Sequence, residues 1–264
     1  LALAHMNAEG SESQKQKYMT AGLKGELVGC LAITEPSGGS DVSSIVTKAV
    51  RDGDHFVING SKTFITNGVL SNYIIAAVRT GGPGPKGISM VIIDRDTPGI
   101  SASKLKKLGW HASDTGEIHF DNVRIPVENL LGEEGKGFYY IMQHFASERL
   151  GMALIGVSQA QLAIDLALNY MSERVVFGKT IDKFQVLRHR IAQMSSELLA
   201  ARALVYTLYK QYSQGDYIIK EAAMAKLVAT QLADKTCYEC MRIFGGYGYM
   251  EEYPMARLLR DSRL

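Results

Sequence analysis

FYYIMQHFASERLGMALIGVSQAQLAIDLALNYM, residues 138 to 171, decides the fold. In alternating steps of three and four, Ile141, Phe145, Glu148, Met152, Ile155, Gln159, Leu162 and Leu166 fall on one stripe, which is the pattern of a helix with a core-facing side. Glu148 is out of place there, because glutamate is almost never fully buried unless it is paired or put to use. Two readings stay open. Glu148 leans out of the packing or meets a cation; neighbouring Arg149 points about 100° away on a helix and does not face it. Alternatively it is a general base, since a carboxylate in an apolar setting is desolvated and its pKa rises toward the working pH. A second stripe of Ala146, Arg149, Ala153, Gly156, Ala160 and Ala163 admits close approach by another helix or a thin ligand. Plain helix packing accounts for it at least as well.

Outward from this helix the pattern changes on one side and repeats on the other. Toward the C-terminus, helices are expected over about 182–212 and 216–244, with Gly245-Gly246 supplying a left-handed stop. Long amphipathic helices with short links read as a bundle. Toward the N-terminus, GELVGCLAIT, DHFVINGSKTFIT, NYIIAAVRT, GISMVIIDRD and GEIHFDNVRIP are strand-like. With no helical stretch among them, an antiparallel barrel or sandwich is expected rather than a βαβ sheet. Asn59-Gly60 reads as a hairpin turn. Residues 1–25 are helical, with Ser11 or Ser13 placed to cap a short helix. The expected division is 1–25, the end of a helical domain; 26–133, a middle β-domain; and 134–264, a helical bundle. Leu1 is not Met, LALAHMNAEG reads as a helix already under way, and RLLRDSRL stops without a tail. The expectation is a piece truncated at both ends, holding three helices of a four-helix bundle.

Composition narrows the function. A net charge of +2, with 46% hydrophobic and 21% charged residues, gives no reason to expect a nucleic-acid partner or a charged membrane surface. No uninterrupted apolar run reaches the length of a membrane span. The cysteines do not make a disulfide framework. Gly82-Pro83-Gly84-Pro85-Lys86-Gly87 matches G-x-G-x-x-G in letters only, because strand-like ISMVII follows it and its prolines remove backbone donors. A turn is expected instead. Cys237 and Cys240 have no second pair or nearby histidine, so packed thiols are expected and no metal site. Lys104, Lys106 and Lys107 read as a solvated loop as readily as a phosphate contact.

Several stretches together resemble the acyl-CoA dehydrogenase family: LAITEPSGGSD (31–41), FITNG (64–68), LGWHASDTGEIHFDNVRIPVENLLG (108–132), ERVVFGKTIDKFQ (173–185) and RIFGGYGYMEEYP (242–254). The resemblance covers essentially the whole chain in the right order. It implies an α+β fold, with a helical N-terminal domain, a middle β-domain and a C-terminal four-helix bundle, and FAD held between the last two. It implies that Leu31, Ile33 and Thr34, with Phe64, Ile65 and Thr66, lie along the flavin ring, Thr66 near the reactive N5. Phe64 stands where the family commonly has Trp. Ser40 would face the flavin phosphate or the thioester's pantetheine arm. Arg174, Phe177 and Gln185, with Arg242, Gly245 and Gly246, would hold the ADP half of FAD across a subunit boundary; Arg242 departs from the usual Gln.

The resemblance also bears on the opening anomaly. Most of the family carries its base beyond the third bundle helix, whereas the long-chain and isovaleryl branches carry it on the first, in a Glu-Arg-Leu sequence. Glu148-Arg149-Leu150 matches that position. The implied reaction is removal of the α-proton of a fatty or branched-chain acyl-CoA by Glu148, with hydride transfer to flavin N5, giving the trans-2-enoyl-CoA. Arg149 would serve the CoA side of the substrate or the bundle. An electron-transfer flavoprotein as acceptor, a homodimer or homotetramer, and a bacterial cytoplasmic or mitochondrial-matrix location follow from the same resemblance. An acyl-CoA oxidase-like flavoenzyme and a non-catalytic flavin-binding homologue are the alternatives.

Overall fold

A computed structural model describes residues 1–264 and divides them into two compact units, Leu1–Lys107 with His111–His144, and Leu108–Trp110 with Phe145–Leu264. The first unit opens with helix α1 (Ala2–Glu9). A continuous helical run follows through α2 (Glu12–Gln14), a π-helical turn (Lys15–Met19) and α3 (Thr20–Leu23). Ser11 is the cap, accepting from the Gln14 backbone N–H while the Gln14 side chain accepts from the Ser11 N–H. This reciprocal box satisfies two orphan donors at once. The Gln14 amide then donates to the Glu128 and Leu130 carbonyls, which stitches the run to the strands.

Those strands are β1 (Gly29–Ala32), β2 (Lys48–Asp52), β3 (His55–Thr66), β4 (Tyr73–Arg79), β5 (Ile88–Asp94), β6 (Ile100–Lys104), β7 (Thr115–Pro126) and β8 (Leu130–Leu131). They pair in the order β6-β7-β3-β2-β4-β5-β8, with β1 beside β4. The pairing is antiparallel except for β1–β4 and a single β2–β4 pair, Lys48 with Arg79. That single pair is the only ladder joining two half-sheets. Residues of both halves, among them Phe56, Ile58, Ile118, Ile74, Val78 and Ile93, form one core. This is the closure expected of a sandwich or barrel. β4 and β5 are buried on both faces, which is why YIIAAV and ISMVII read as unbroken apolar runs.

Asn59-Gly60 is not a turn. Both residues lie inside β3, opposite a bulge in β7 where Asp121 and Asn122 face Asn59 alone. The Asn59 and Asn122 amides bond one another, at 3.2 Å, and Asn59 also accepts the Asn122 N–H at 2.8 Å. Gly60 is required because a Cβ there would meet the Thr47 side chain at 2.6 Å. The hairpin turn falls one loop earlier, at Gly53 (φ +61), between β2 and β3. The Gly-Pro-rich stretch is a turn, as read, with the Arg79 guanidinium donating to the Gly82 and Gly84 carbonyls.

α4 (Gly137–Glu173) starts in the first unit and carries on into the second. There follow a small hairpin of β9 (Val175–Val176) and β10 (Lys179–Thr180), then α5 (Gln185–Ser213), α6 (Ile219–Ile243) and a short α7 (Pro254–Ser262). The sequence reading missed α7. It starts at Pro254, whose fixed φ suits a first helical turn, and it buries Met255 and Leu258 in the bundle core.

The face that α4 buries in the bundle also differs from the expectation. Leu150, Ala153, Val157, Ala160, Ala163, Ile164 and Ala167 are buried in the bundle core, so the small-residue stripe faces inward and helix packing accounts for it. Ile155 and Leu162, on the supposed core stripe, are 38% and 45% exposed. The reason is the approach of α6: a Cβ on Gly156 would lie 2.8 Å from the Ala229 carbonyl oxygen. At that spacing only small side chains fit, and the large apolar ones are left at the rim. Cys237 and Cys240 are packed thiols, pushed up by burial to about 11 and about 12.

Candidate active site

In the β-domain the two stretches singled out by sequence lie side by side. The Thr63 N–H donates to the Thr34 carbonyl at 2.9 Å, joining the segment after β1 to the last third of β3. At this point β3 bulges: Thr63 and Phe64 together oppose Glu117 of β7, and the Thr63 hydroxyl donates to the Glu117 carboxylate. Phe64 takes the left-handed conformation (φ +58), and its ring is 70% exposed. Such a backbone costs a non-glycine residue about 1–3 kcal/mol and clusters at ligand clamps. Leu31, Ile33 and Thr34 are half-buried, and Thr66 and Ser40 are exposed. Ile65 is different, since its side chain belongs to the core and only its backbone can reach a ligand.

Sequence reading missed what lies beneath this edge. Lys62 and Glu35 form an ion pair at 2.8 Å with side chains 0% and 2% exposed. The Lys62 ammonium also donates to the Ile33 carbonyl, while Glu35 accepts the Val46 and Thr47 N–H groups. Burial pulls Lys62 down to about 8 against the attraction of Glu35. Burial alone would raise the Glu35 carboxyl; the Lys62 charge and these hydrogen bonds hold it below its ordinary value. Both groups are therefore charged at neutral pH. Asp114 was also missed. Its carboxylate accepts the Val69 N–H and its carbonyl accepts the Asn67 N–H, which fixes the turn after Thr66. The signal available for Lys62 was its place on a strand whose alternation points it inward.

In the bundle unit, Glu148 is half-buried on the rim face of α4. Burial raises its pKa above the carboxylate norm and outweighs the positive charges, Arg149 among them, that pull it down. Arg149 does not turn to Glu148 but lies over the Phe145 ring, 5.3 Å from its centroid. At the far end of α4, the Arg174 guanidinium stands 5.6 Å from the ring centroid of Tyr247, the residue that follows Gly245 and Gly246 in sequence. Gly245 has φ +60, the left-handed stop expected after α6, and a Cβ on either glycine would meet no protein atom. Arg242 is paired with Glu239, which also binds Arg190. Phe177 sits at the tip of the β9–β10 hairpin with φ +52 and 91% exposure. Its ring approaches Phe184, next to Gln185. Gln185 lines a cleft of about 530 Å³ with Asp182, Arg188 and His189.

Within each unit, taken by itself, these are groups of the kinds that bind a planar, phosphate-bearing ligand. Phe64 and Phe177 hold aromatic rings in solvent on strained backbone, where they add little to the fold and can stack on a planar ligand. Arg174 and Arg242 carry planar guanidinium groups that match pyrophosphate oxygens, and the open glycine pair admits close backbone approach.

Residues 30–123 match the family model for the acyl-CoA dehydrogenase middle domain, and residues 135–264 match that for the acyl-CoA dehydrogenase C-terminal domain. A short-chain-specific acyl-CoA dehydrogenase of Clostridium acetobutylicum is 41% identical over 100% of this chain and 70% of its own length. The mitochondrial long-chain-specific acyl-CoA dehydrogenase of Sus scrofa is 38% identical over 97% of this chain and 60% of its own. The crystal structure of a probable acyl-CoA dehydrogenase from Mycobacterium abscessus superposes with a TM-score of 0.97 at 42% identity, covering 98% of this chain and 69% of that one. The chain belongs to the acyl-CoA dehydrogenase family, FAD-using oxidoreductases of fatty-acid oxidation. It spans between 60% and 70% of the length of these relatives.

Proposed function

We propose that the chain dehydrogenates a fatty or branched-chain acyl-CoA to the trans-2-enoyl-CoA, with Glu148 as the base that takes the α-proton. The observation that carries this reading is the setting of Glu148: half-buried on an apolar helix face, with burial raising its pKa. A surface carboxylate is too weak a base for a proton next to a thioester carbonyl. Desolvation brings the two affinities closer and so lowers the cost of transfer. Overall identity does not choose the base, because short-chain and long-chain relatives stand at 41% and 38%.

Bound FAD supplies the acceptor for the β-hydrogen. Leu31, Ile33, Thr34, Phe64 and Thr66, with the Ile65 backbone, line its ring, and Ser40 meets a phosphate or the pantetheine arm. Arg174, Phe177, Gln185, Arg242, Gly245 and Gly246 bind the ADP half from a neighbouring copy. The 91% exposure of Phe177 favours that assignment, since a ring so displayed is available to another subunit. Arg149 serves the CoA side of the substrate. A homodimer or homotetramer, an electron-transfer flavoprotein as the electron acceptor, and a bacterial cytoplasm or mitochondrial matrix as the setting complete the reading. A panel of acyl-CoA thioesters added anaerobically to flavin-loaded protein tests it. Bleaching of the visible flavin band by at least one of them is expected, and a flavin indifferent to all of them would refute the reading.

A further inference from the structure

The bulge that displays Phe64 needs something to hold it. A left-handed phenylalanine persists only where its surroundings over-determine it. On its C-terminal side, Ile65 is locked into the sheet core. On its N-terminal side stands Lys62, whose side chain crosses beneath the ligand edge to the Ile33 carbonyl and the Glu35 carboxylate. Glu35 is fixed in turn by the Val46 and Thr47 N–H groups. The segment carrying Ile33 and Thr34 and the bulge carrying Phe64 are therefore tied at two points, by the Lys62 ammonium below and by the Thr63 N–H to Thr34 carbonyl bond above.

We infer that the buried Lys62–Glu35 ion pair is a positioning device for the flavin-ring edge, setting the height of the Ile33–Thr34 backbone and the aim of Phe64. This rests on the flavin reading above. A buried ion pair is weak evidence for stability as such, because replacing both partners with apolar groups of like volume is often neutral or better. Its placement under a strained, solvent-facing edge supplies a use that an apolar pair could not serve. No apolar side chain donates to the Ile33 carbonyl. Lys62 touches no ligand in this scheme and acts through the backbone it holds.

The test separates the positioning role from a structural one. Lys62→Met alone leaves the Glu35 charge buried without its partner, and the melting temperature falls. Lys62→Met combined with Glu35→Leu removes both charges and recovers most of that fall. In the double variant, FAD is still bound, but its visible spectrum and midpoint potential are shifted from wild type. Bleaching by acyl-CoA slows about ten- to a hundredfold, the scale of a misplacement near 1 Å, while substrate KM changes less. A double variant that recovers its melting temperature together with a wild-type spectrum, potential and bleaching rate would overturn the inference. So would a double variant that loses FAD altogether, since the pair would then be needed for binding rather than alignment. Failure of the wild type to bind flavin would instead remove the reading on which the inference rests.

Discussion

A half-buried carboxylate on an apolar helix face costs a protein stability whenever it is charged, and burial raises the pKa of Glu148 accordingly. Its folded pKa lies above the unfolded value, so the folded state holds the proton more tightly. Stability is therefore greatest below the ordinary carboxylate pKa and falls as pH rises through the raised one. Glu148→Gln removes this loss. Thermal melts should show the variant as stable as wild type or more so at pH 7, with the advantage vanishing at pH 4. A lower melting temperature for the variant at pH 7 would mean that the carboxylate has a stabilising partner. Catalysis runs opposite in sign, because only the deprotonated form accepts the substrate's proton. The rate of flavin bleaching should climb through the raised pKa to a plateau, and that limb should be missing in Glu148→Gln.

At the scale of elements, the sequence showed the kinds of segment better than the faces they bury. Four of the five strand-like runs and the three long helices are present close to their expected bounds, because burial selects apolar residues there, whereas GELVGCLAIT shrinks to β1 and the mostly exposed β2 and β6 were not read. Periodicity did not identify which α4 stripe faces the bundle, since small residues score weakly on any hydrophobic count while packing most tightly. Gly156→Val tests the tight crossing. It forces a branched side chain against the Ala229 carbonyl, and a loss of about 1–3 kcal/mol in denaturant unfolding is expected. Within experimental error of wild type would mean the helices part without strain. The bulges in β3 and β7 were unreadable for another reason. Asn59-Gly60 suits a turn by local chemistry, and only the approach of Thr47 makes that glycine a strand residue. Alternation along β3 marks Lys62 as inward-facing, but nothing local marks Glu35 as its partner, because the fold brings the segment after β1 to β3.

For the whole molecule, the resemblance supplied the candidate residues and the structure supplied their settings. It shows Phe64 and Phe177 displayed on strained backbone, and it shows Ile65 turned into the core. Phe177→Ala should leave the melting temperature of the flavin-free chain nearly unchanged, because a side chain 91% exposed packs on little. FAD affinity, measured by flavin fluorescence, should fall about tenfold if the ring stacks on the dinucleotide. An unchanged affinity would remove Phe177 from the cofactor site. Stopped-flow bleaching of bound flavin by an acyl-CoA under anaerobic conditions, wild type against Glu148→Gln, tests whether Glu148 is the base. Equal flavin content is expected, with bleaching slowed by about a thousandfold or more in the variant, the scale of removing a general base. Bleaching at the wild-type rate would place the base on another residue and contradict this assignment.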